Sequence, residues 1–467
     1  MSDQHPATVA VIGAGVTGLT LAHLLDRQGI PVRVYEAQSR PGGAMHTSRE
    51  QGFLVEHGPN SAQETTPLLR QLFVGLGIDD QFEYASPASK NRYVVRGGKL
   101  HAVPLGPPAL LGTRLFSGAA KLRLLAEPFV RRSDPDQDED LAHFVTRRLG
   151  REFLDYAIDP FVSGVFAGLP EKLSVRSAFP RLWELEQEYG SLIKGAVLGA
   201  RARRKRQEQS KQSAQSFSFK EGLQTLIDAL ARSLGDKVQT GVPLRAVRKT
   251  AAGYTLELAN RAEAVPAASV ALTMPAHGYE QLELGFECDA ARQALAKIYY
   301  PPVAVVFCGY RRNPLDHALE GFGFLVPRRE NRQILGSLWN SSLFSGRAPE
   351  GGLALTVFVG GSRQPENALW PEDKLMDTVA AELKELLGLQ PRPDHQVVFR
   401  WPRAIPQYQV GHRQLMAAVE ACEARHPGLY LGGNFRGGIS VADCVKSAHA
   451  LADKVAGDLR GRGALAG

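Results

Sequence analysis

Val9-Ala10-Val11-Ile12-Gly13-Ala14-Gly15-Val16-Thr17-Gly18 is the stretch that decides the fold. Small and β-branched residues run into a G-x-G-x-x-G turn. Apolar residues then recur at helical spacing from Leu19 to Arg27, Gly29 supplies a stop, and Val32 to Tyr35 read as a second strand. Strand, tight turn, helix and strand in that order make one βαβ unit. Gly13 permits the turn, and Gly15 lets a pyrophosphate approach backbone amides at the positive end of the helix. Gly18 lets helix and strand pack closely, and Ala14, Val16 and Thr17 complete the phosphate turn. Glu36, with Ala37 beside it, is the acid expected about twenty residues on, where it can accept hydrogen bonds from a ribose diol. The expectation is a dinucleotide-binding unit.

Composition narrows the class. The 467 residues exceed one hydrophobic core and suit two or three domains. No apolar run is long enough to span a bilayer, and Met1 to Ala7 lack the charged-then-apolar pattern of a leader, so the expectation is a soluble, cytoplasmic protein. The net charge of +7 gathers in Arg201 to Arg206 and in Lys121 to Arg132. Without interleaved aromatics it does not suggest a nucleic-acid partner, and the 201–206 run reads as a solvated face. Cys288, Cys308, Cys422 and Cys444 show neither C-x-x-C spacing nor metal-like pairing with histidine, so they read as reduced, buried thiols with no metal.

Arg40-Pro41-Gly42-Gly43 adds a second glycine pair, followed by Ala44. This resembles the flavoprotein oxidases of the amine oxidase superfamily, which read E-A-x-x-R-x-G-G at this point. The resemblance implies FAD in place of NAD, bound non-covalently because no attachment motif is evident, with Arg40, Gly42, Gly43 and Ala44 at the cofactor. Glu56-His57-Gly58-Pro59-Asn60 fits the same pattern, in which a G-P turn lies beneath the flavin ring. A second signature stands far along the chain: Gly428 to Asn434, then Gly437-Gly438-Ile439-Ser440-Val441 and a helix to Leu459. Phe219 to Leu226, a helix with Leu226, Leu230 and Leu234 on one face, and a strand entering Gly241-Val242-Pro243 resemble the segment that returns to the FAD domain.

The implied fold is α/β: a discontinuous Rossmann-like FAD-binding domain (1–80, 215–290, 411–467), an α+β substrate domain (81–104, 291–410) and a mainly helical insertion (105–214). Strands are expected at Val303 to Cys308, Leu335 to Leu338 and Ala354 to Val359, and a flexible connection at Gln207 to Ser216.

Five further stretches resemble one family, the oxygen-dependent protoporphyrinogen IX oxidases, with wording most similar to the plant mitochondrial type. They are Asn91-Arg92-Tyr93 with Gly97 to His101; Asp159 to Gly168; Leu173 to Pro180; Glu320 to Pro327; and Phe358 to Arg363. The resemblance implies oxidation of protoporphyrinogen IX by molecular oxygen, with release of hydrogen peroxide. Arg92 would pair with a propionate, since a guanidinium matches a carboxylate through two parallel hydrogen bonds. Leu325, Leu338 and Phe358 would sandwich the pyrrole rings, and Gly164 would keep backbone beside flavin N5. No acid or base is assigned. Two departures stand out: Ser163 replaces a basic residue found in some relatives, and Ala44-Met45 replaces a bulky or basic residue after the glycine pair.

Coproporphyrinogen III, which has two further propionates, remains an alternative substrate. A flavin amine oxidase is a more distant reading, weakened because Val303 to Phe307 is wholly apolar where such enzymes carry a lysine. A homodimer and product hand-over to a ferrochelatase are compatible with the family. Leu105 to Arg132 interleaves leucines with Arg114, Lys121, Arg123, Arg131 and Arg132. It is too charged to span a bilayer but suits peripheral attachment to the cytoplasmic membrane, with the cations drawn to anionic lipid.

Overall fold

The computed structural model describes residues 8–198, 214–390 and 392–462. Val9–Ile12 lies at the centre of a parallel five-stranded sheet, between Val32–Tyr35 and Ser269–Leu272, with Val238–Gln239 and Leu429–Leu431 at the edges. One sheet thus draws strands from three distant stretches of chain. Val9–Ile12, Ser269–Leu272 and Leu429–Leu431 are buried on both faces, as a parallel sheet requires. On one face pack the helices Val16–Arg27, Gln224–Leu234 and Val441–Gly461, with Leu226, Leu230 and Leu234 all at 2% exposure or less. The helix after the phosphate turn begins at Val16, three residues before the apolar repeat becomes visible, and Gly29 ends it at φ +73.

A seven-stranded sheet forms the second unit, in the order 395–401, 303–310, 353–360, 334–338, 323–325, 92–96, 99–102. The expected strands are present, extended to Val303–Tyr310, Ile334–Leu338 and Leu353–Gly360. Helix Glu372–Leu387 covers one face of this sheet. The other face is open toward the first unit and toward a cluster of short helices between Pro107 and Leu198.

Four readings change. Phe82–Tyr84, placed in the substrate unit from sequence, pairs antiparallel with Ser216–Phe219. Ser216 itself is buried in that strand and is no part of a loose connection; Gln207 to Ser213 and the basic run 201–206 lie outside the described residues. Cys288 and Cys422 form a disulfide, with Cα atoms 5.7 Å apart, while Cys308 and Cys444 are buried free thiols. Their separation of 134 residues hides the pairing from any spacing rule. Finally, most cations of the 105–132 segment are already engaged: Lys121 Nζ donates to the carbonyls of Leu111 and Thr113, Arg123 to those of Arg147 and Arg148, and Arg132 to that of Gln187. No helix among the described residues is long and apolar enough to cross a membrane.

Candidate flavin and substrate site

A cavity of about 3930 Å³ runs from the phosphate turn, past the seven-stranded sheet, to the helical cluster. That is several times a usual single-ligand pocket and leaves room for a dinucleotide and a second large molecule.

Its nucleotide end is built from backbone. Gly13, at φ +101, turns the chain out of the first strand; Gly15 faces open space, as a phosphate approach requires. A Cβ on Gly18 would strike the Gly13 carbonyl oxygen, which fixes the helix tightly against the turn. The amide of Gly42 donates to Ala14 O at 2.7 Å, knitting the two glycine turns side by side. Glu36 Oε2 accepts from the Ala14 amide at 2.7 Å and Oε1 from that of Gln38 at 2.8 Å, so the carboxylate is held at the edge of the turn. The Val242 amide donates to Glu36 O and brings the middle segment to the same edge.

The far end of the cofactor region comes from Asn434 and Gly437 to Val441. Ser440 caps helix Val441–Gly461, its hydroxyl accepting the Asp443 amide, so the positive end of a 21-residue helix faces the cavity. The side-chain oxygen of Asn434 is buried without a hydrogen-bond partner. An orphaned acceptor, an open glycine turn, a held acid and a helix N-terminus at one elongated cavity fit FAD. Gly13, Gly15, Val16, Thr17, Glu36, Ala37, Gly42, Gly43, Ala44, Gly58, Pro59, Asn60 and Val242 all contribute to its wall.

Four of the expected cofactor residues stand behind that wall. Ala14 and Gly18 act through backbone and packing. Arg40 turns its guanidinium onto the carbonyls of Pro41 and Gly43 and braces the second turn. His57 faces away: its ring stacks on Phe399 at 3.6 Å and contacts His46 Nδ1 and Ser48 Oγ, while burial, with His46 alongside, pushes its pKa down to about 4. Neighbouring Asn60 is fixed instead, its Oδ1 accepting from Asn340 and Thr356.

The substrate end is built from side chains on one sheet face. Arg92 pairs with Gly323 and Gly323 with Leu338; one pleat further on, Val94 pairs with Leu325, Leu325 with Gly336 and Gly336 with Phe358. Residues in register, and residues two apart, share a face. Arg92, Leu325, Leu338 and Phe358 therefore project together, and all four line the cavity with Val303 and Val305. From Arg92 to Phe358 the wall spans four strands, roughly 14 Å at the usual spacing. Opposite it, Gly164 lies in a π-helical turn, Val162–Phe166. A Cβ there would collide with Leu325 Cδ2. The glycine is needed first for this wall-to-wall contact, a constraint beyond the clearance at the flavin suggested by the sequence.

Arg92 is the distinctive charge. Its guanidinium lies 5.0 Å over the Phe322 ring, and no carboxylate pairs with it among the described residues. Burial alone holds its pKa below the ordinary arginine value. A half-buried guanidinium without a counter-ion in an apolar wall can bind a carboxylate through two parallel hydrogen bonds.

Sequence reading missed several supports. Thr273 Oγ1 donates to the carbonyls of Ile12 and Gly13 from across the sheet, and nothing local marks it. Tyr408 Oη donates to Asn434 O and accepts the Gly438 amide, while its ring stacks on His412 at 4.2 Å. Tyr408 lies in the loop before helix His412–Arg425, so no helical spacing marks the pair in the sequence.

Comparison with known proteins agrees with this geometry. Residues 16–456 match the family described as flavin containing amine oxidoreductase. The mitochondrial protoporphyrinogen oxidase of Nicotiana tabacum is 32% identical over 97% of this chain and 96% of its own length. The coproporphyrinogen III oxidase of Bacillus subtilis is 29% identical over 95% of this chain and 97% of its own. A crystal structure of a candidate protoporphyrinogen oxidase from Exiguobacterium sp. superposes with a TM-score of 0.82 at 25% identity, covering 98% of this chain and all of that one. The chain belongs to the flavin containing amine oxidoreductase family and is an FAD-dependent oxidoreductase.

Proposed function

We propose that the protein oxidises a porphyrinogen to the porphyrin, with protoporphyrinogen IX as the preferred substrate, oxygen as the terminal acceptor and hydrogen peroxide as the by-product. The carrying observation is the single sheet face on which one unpaired cation, Arg92, stands at the side of Leu325, Leu338 and Phe358. A broad apolar face with a carboxylate receptor suits a flat, greasy macrocycle with propionates better than a small amine. The strand Val303–Tyr310 supports the same reading, since it brings only valines to the cavity. Bound FAD supplies the electron acceptor that oxygen regenerates. The protein orients the ring, excludes water and keeps Gly164 free of a side chain.

Coproporphyrinogen III is the second reading, favoured by the Bacillus relative's name. The test is anaerobic mixing of the yellow holoenzyme with each porphyrinogen and with a primary amine, followed by flavin bleaching. Fastest bleaching by protoporphyrinogen is expected. Bleaching by the amine and by neither porphyrinogen would overturn the proposal.

We also propose peripheral attachment to the cytoplasmic membrane through the 105–129 region. Leu105, Leu111, Leu122, Leu125 and Phe129 are 68–87% exposed, an apolar patch bordering the cavity mouth at Leu105, Leu111 and Leu125. Because Lys121, Arg123 and Arg132 cap carbonyls, contact would rest on the apolar side chains more than on charge.

A further inference from the structure

Arg363 lies outside the cavity wall, yet its buried guanidinium reaches both sides of the substrate slot, the Gly164 turn and the chain that continues from Leu325. Its side chain is 5% exposed. Nη1 donates to Val326 O at 2.8 Å, immediately beyond Leu325. Nη2 donates to Ser163 Oγ at 2.7 Å, immediately before Gly164, and to Asp159 Oδ2 at 3.1 Å, one turn earlier on the same helix. Arg363 lies just beyond the end of strand Leu353–Gly360, five residues after Phe358, and the Ser362 amide donates to Ala167 O at 2.7 Å. Asp159 also accepts the Arg328 amide at 2.7 Å. Both side chains are buried, and this burial raises the Asp159 carboxyl and lowers the Arg363 guanidinium from their ordinary values.

The segment so held is unusual. Two π-helical turns, Leu154–Ile158 and Val162–Phe166, flank the short helix Asp159–Phe161, and the second ends at Ala167 with φ +52. Turns of this kind are wider than α-helix and hold position only when the surroundings fix them. Gly164 and Leu325 touch with no side chain to spare between them, so a small change in the helix-to-strand distance alters the slot directly.

We propose that Arg363 is a positioning residue that sets the width of the macrocycle slot. It ties the Gly164 turn, the Leu325 strand and the Phe358 strand to one planar fork. The fork reaches acceptors in three directions at once, which the point charge of lysine cannot do. The slot is then pre-formed before substrate arrives, and the cost of organising it is met by the fold.

This rests on the porphyrinogen reading, so the probe is protoporphyrin IX itself, titrated into FAD-loaded enzyme and followed by porphyrin fluorescence alongside steady-state kinetics. Arg363→Lys is expected to raise the porphyrin Kd and the KM together by about tenfold. Flavin content, flavin spectrum and thermal midpoint should stay close to wild type. Ser163→Ala removes one arm and should raise Kd about threefold, with the double variant no worse than Arg363→Lys alone. Unchanged porphyrin affinity in Ser163→Ala, or losses in both variants that track loss of FAD and of thermal stability, would overturn the proposal. Failure of wild type to bind porphyrin would instead remove the functional reading beneath it.

Discussion

The two ends of the cavity are built on opposite principles. At the nucleotide end the groups that define the site are backbone: the turns at Gly13 and Gly42, the bridge between them, and an Ala14 amide held by Glu36. They all lie in the one stretch from Gly13 to Gly42. At the substrate end the groups are side chains, and the strands that carry them are far apart in sequence, from Arg92 to Phe358. A backbone site is intolerant of added atoms. A side-chain wall is intolerant of altered spacing.

The sharpest break of the first end is Gly18→Val. A Cβ at this position has no room against the Gly13 carbonyl, so the helix must lift from the turn at a cost of about 3 kcal/mol or more. Apo protein with a lowered thermal midpoint is expected, read from flavin absorbance against protein; yellow protein melting as wild type would refute this packing. Glu36→Ala acts on the same end through charge. Hydrogen bonds to a charged group contribute roughly 1.5 to 3 kcal/mol, so FAD affinity should fall about ten- to a hundredfold while turnover in saturating FAD persists. An unchanged FAD Kd would place the ribose elsewhere.

The second end is tested by Arg92→Ala. KM for protoporphyrinogen should rise about tenfold with flavin content and spectrum intact, and Arg92→Lys should recover part of the loss. Esterified substrate supplies the check, since the diester should distinguish little between wild type and Arg92→Ala. Equal kinetics for diacid in both proteins would return the wall to a plain apolar role. The smallest effect is expected at the rim. Replacing Leu111, Leu125 and Phe129 by serine should reduce liposome flotation several-fold, while added salt leaves most wild-type binding in place. Flotation abolished by salt and kept in the serine variant would mean that charge, and not the apolar patch, makes the contact.

The same contrast explains what could be read in the sequence. The βαβ unit was legible because strand, glycines, helix and acid follow one another and each obeys a local rule. Arg92, Leu325 and Phe358 could be named only by resemblance, for nothing in their surroundings in the chain reveals that they share a sheet face. The neighbours Gly58 and Pro59 point His57 toward the cofactor, but its ring stacks on Phe399, more than three hundred residues away. Cys288 and Cys422 escaped for the same reason. Arg363 closes a stretch that carries the family resemblance, while its bonds to Val326 and Ser163 join segments that only the folded chain brings together.

The parallel sheet has a temporal consequence. Its first strands are made early, but Leu429–Leu431 and the helix Val441–Gly461, whose N-terminus closes the cofactor region, leave the ribosome hundreds of residues later. Until they arrive, one edge of the sheet is unpaired and the face carrying Val16–Arg27 and Gln224–Leu234 is only partly covered. The cofactor cavity is therefore complete only once this helix has docked, and a truncation before residue 441 is expected to lower FAD affinity, because it removes the helix N-terminus from the cavity wall.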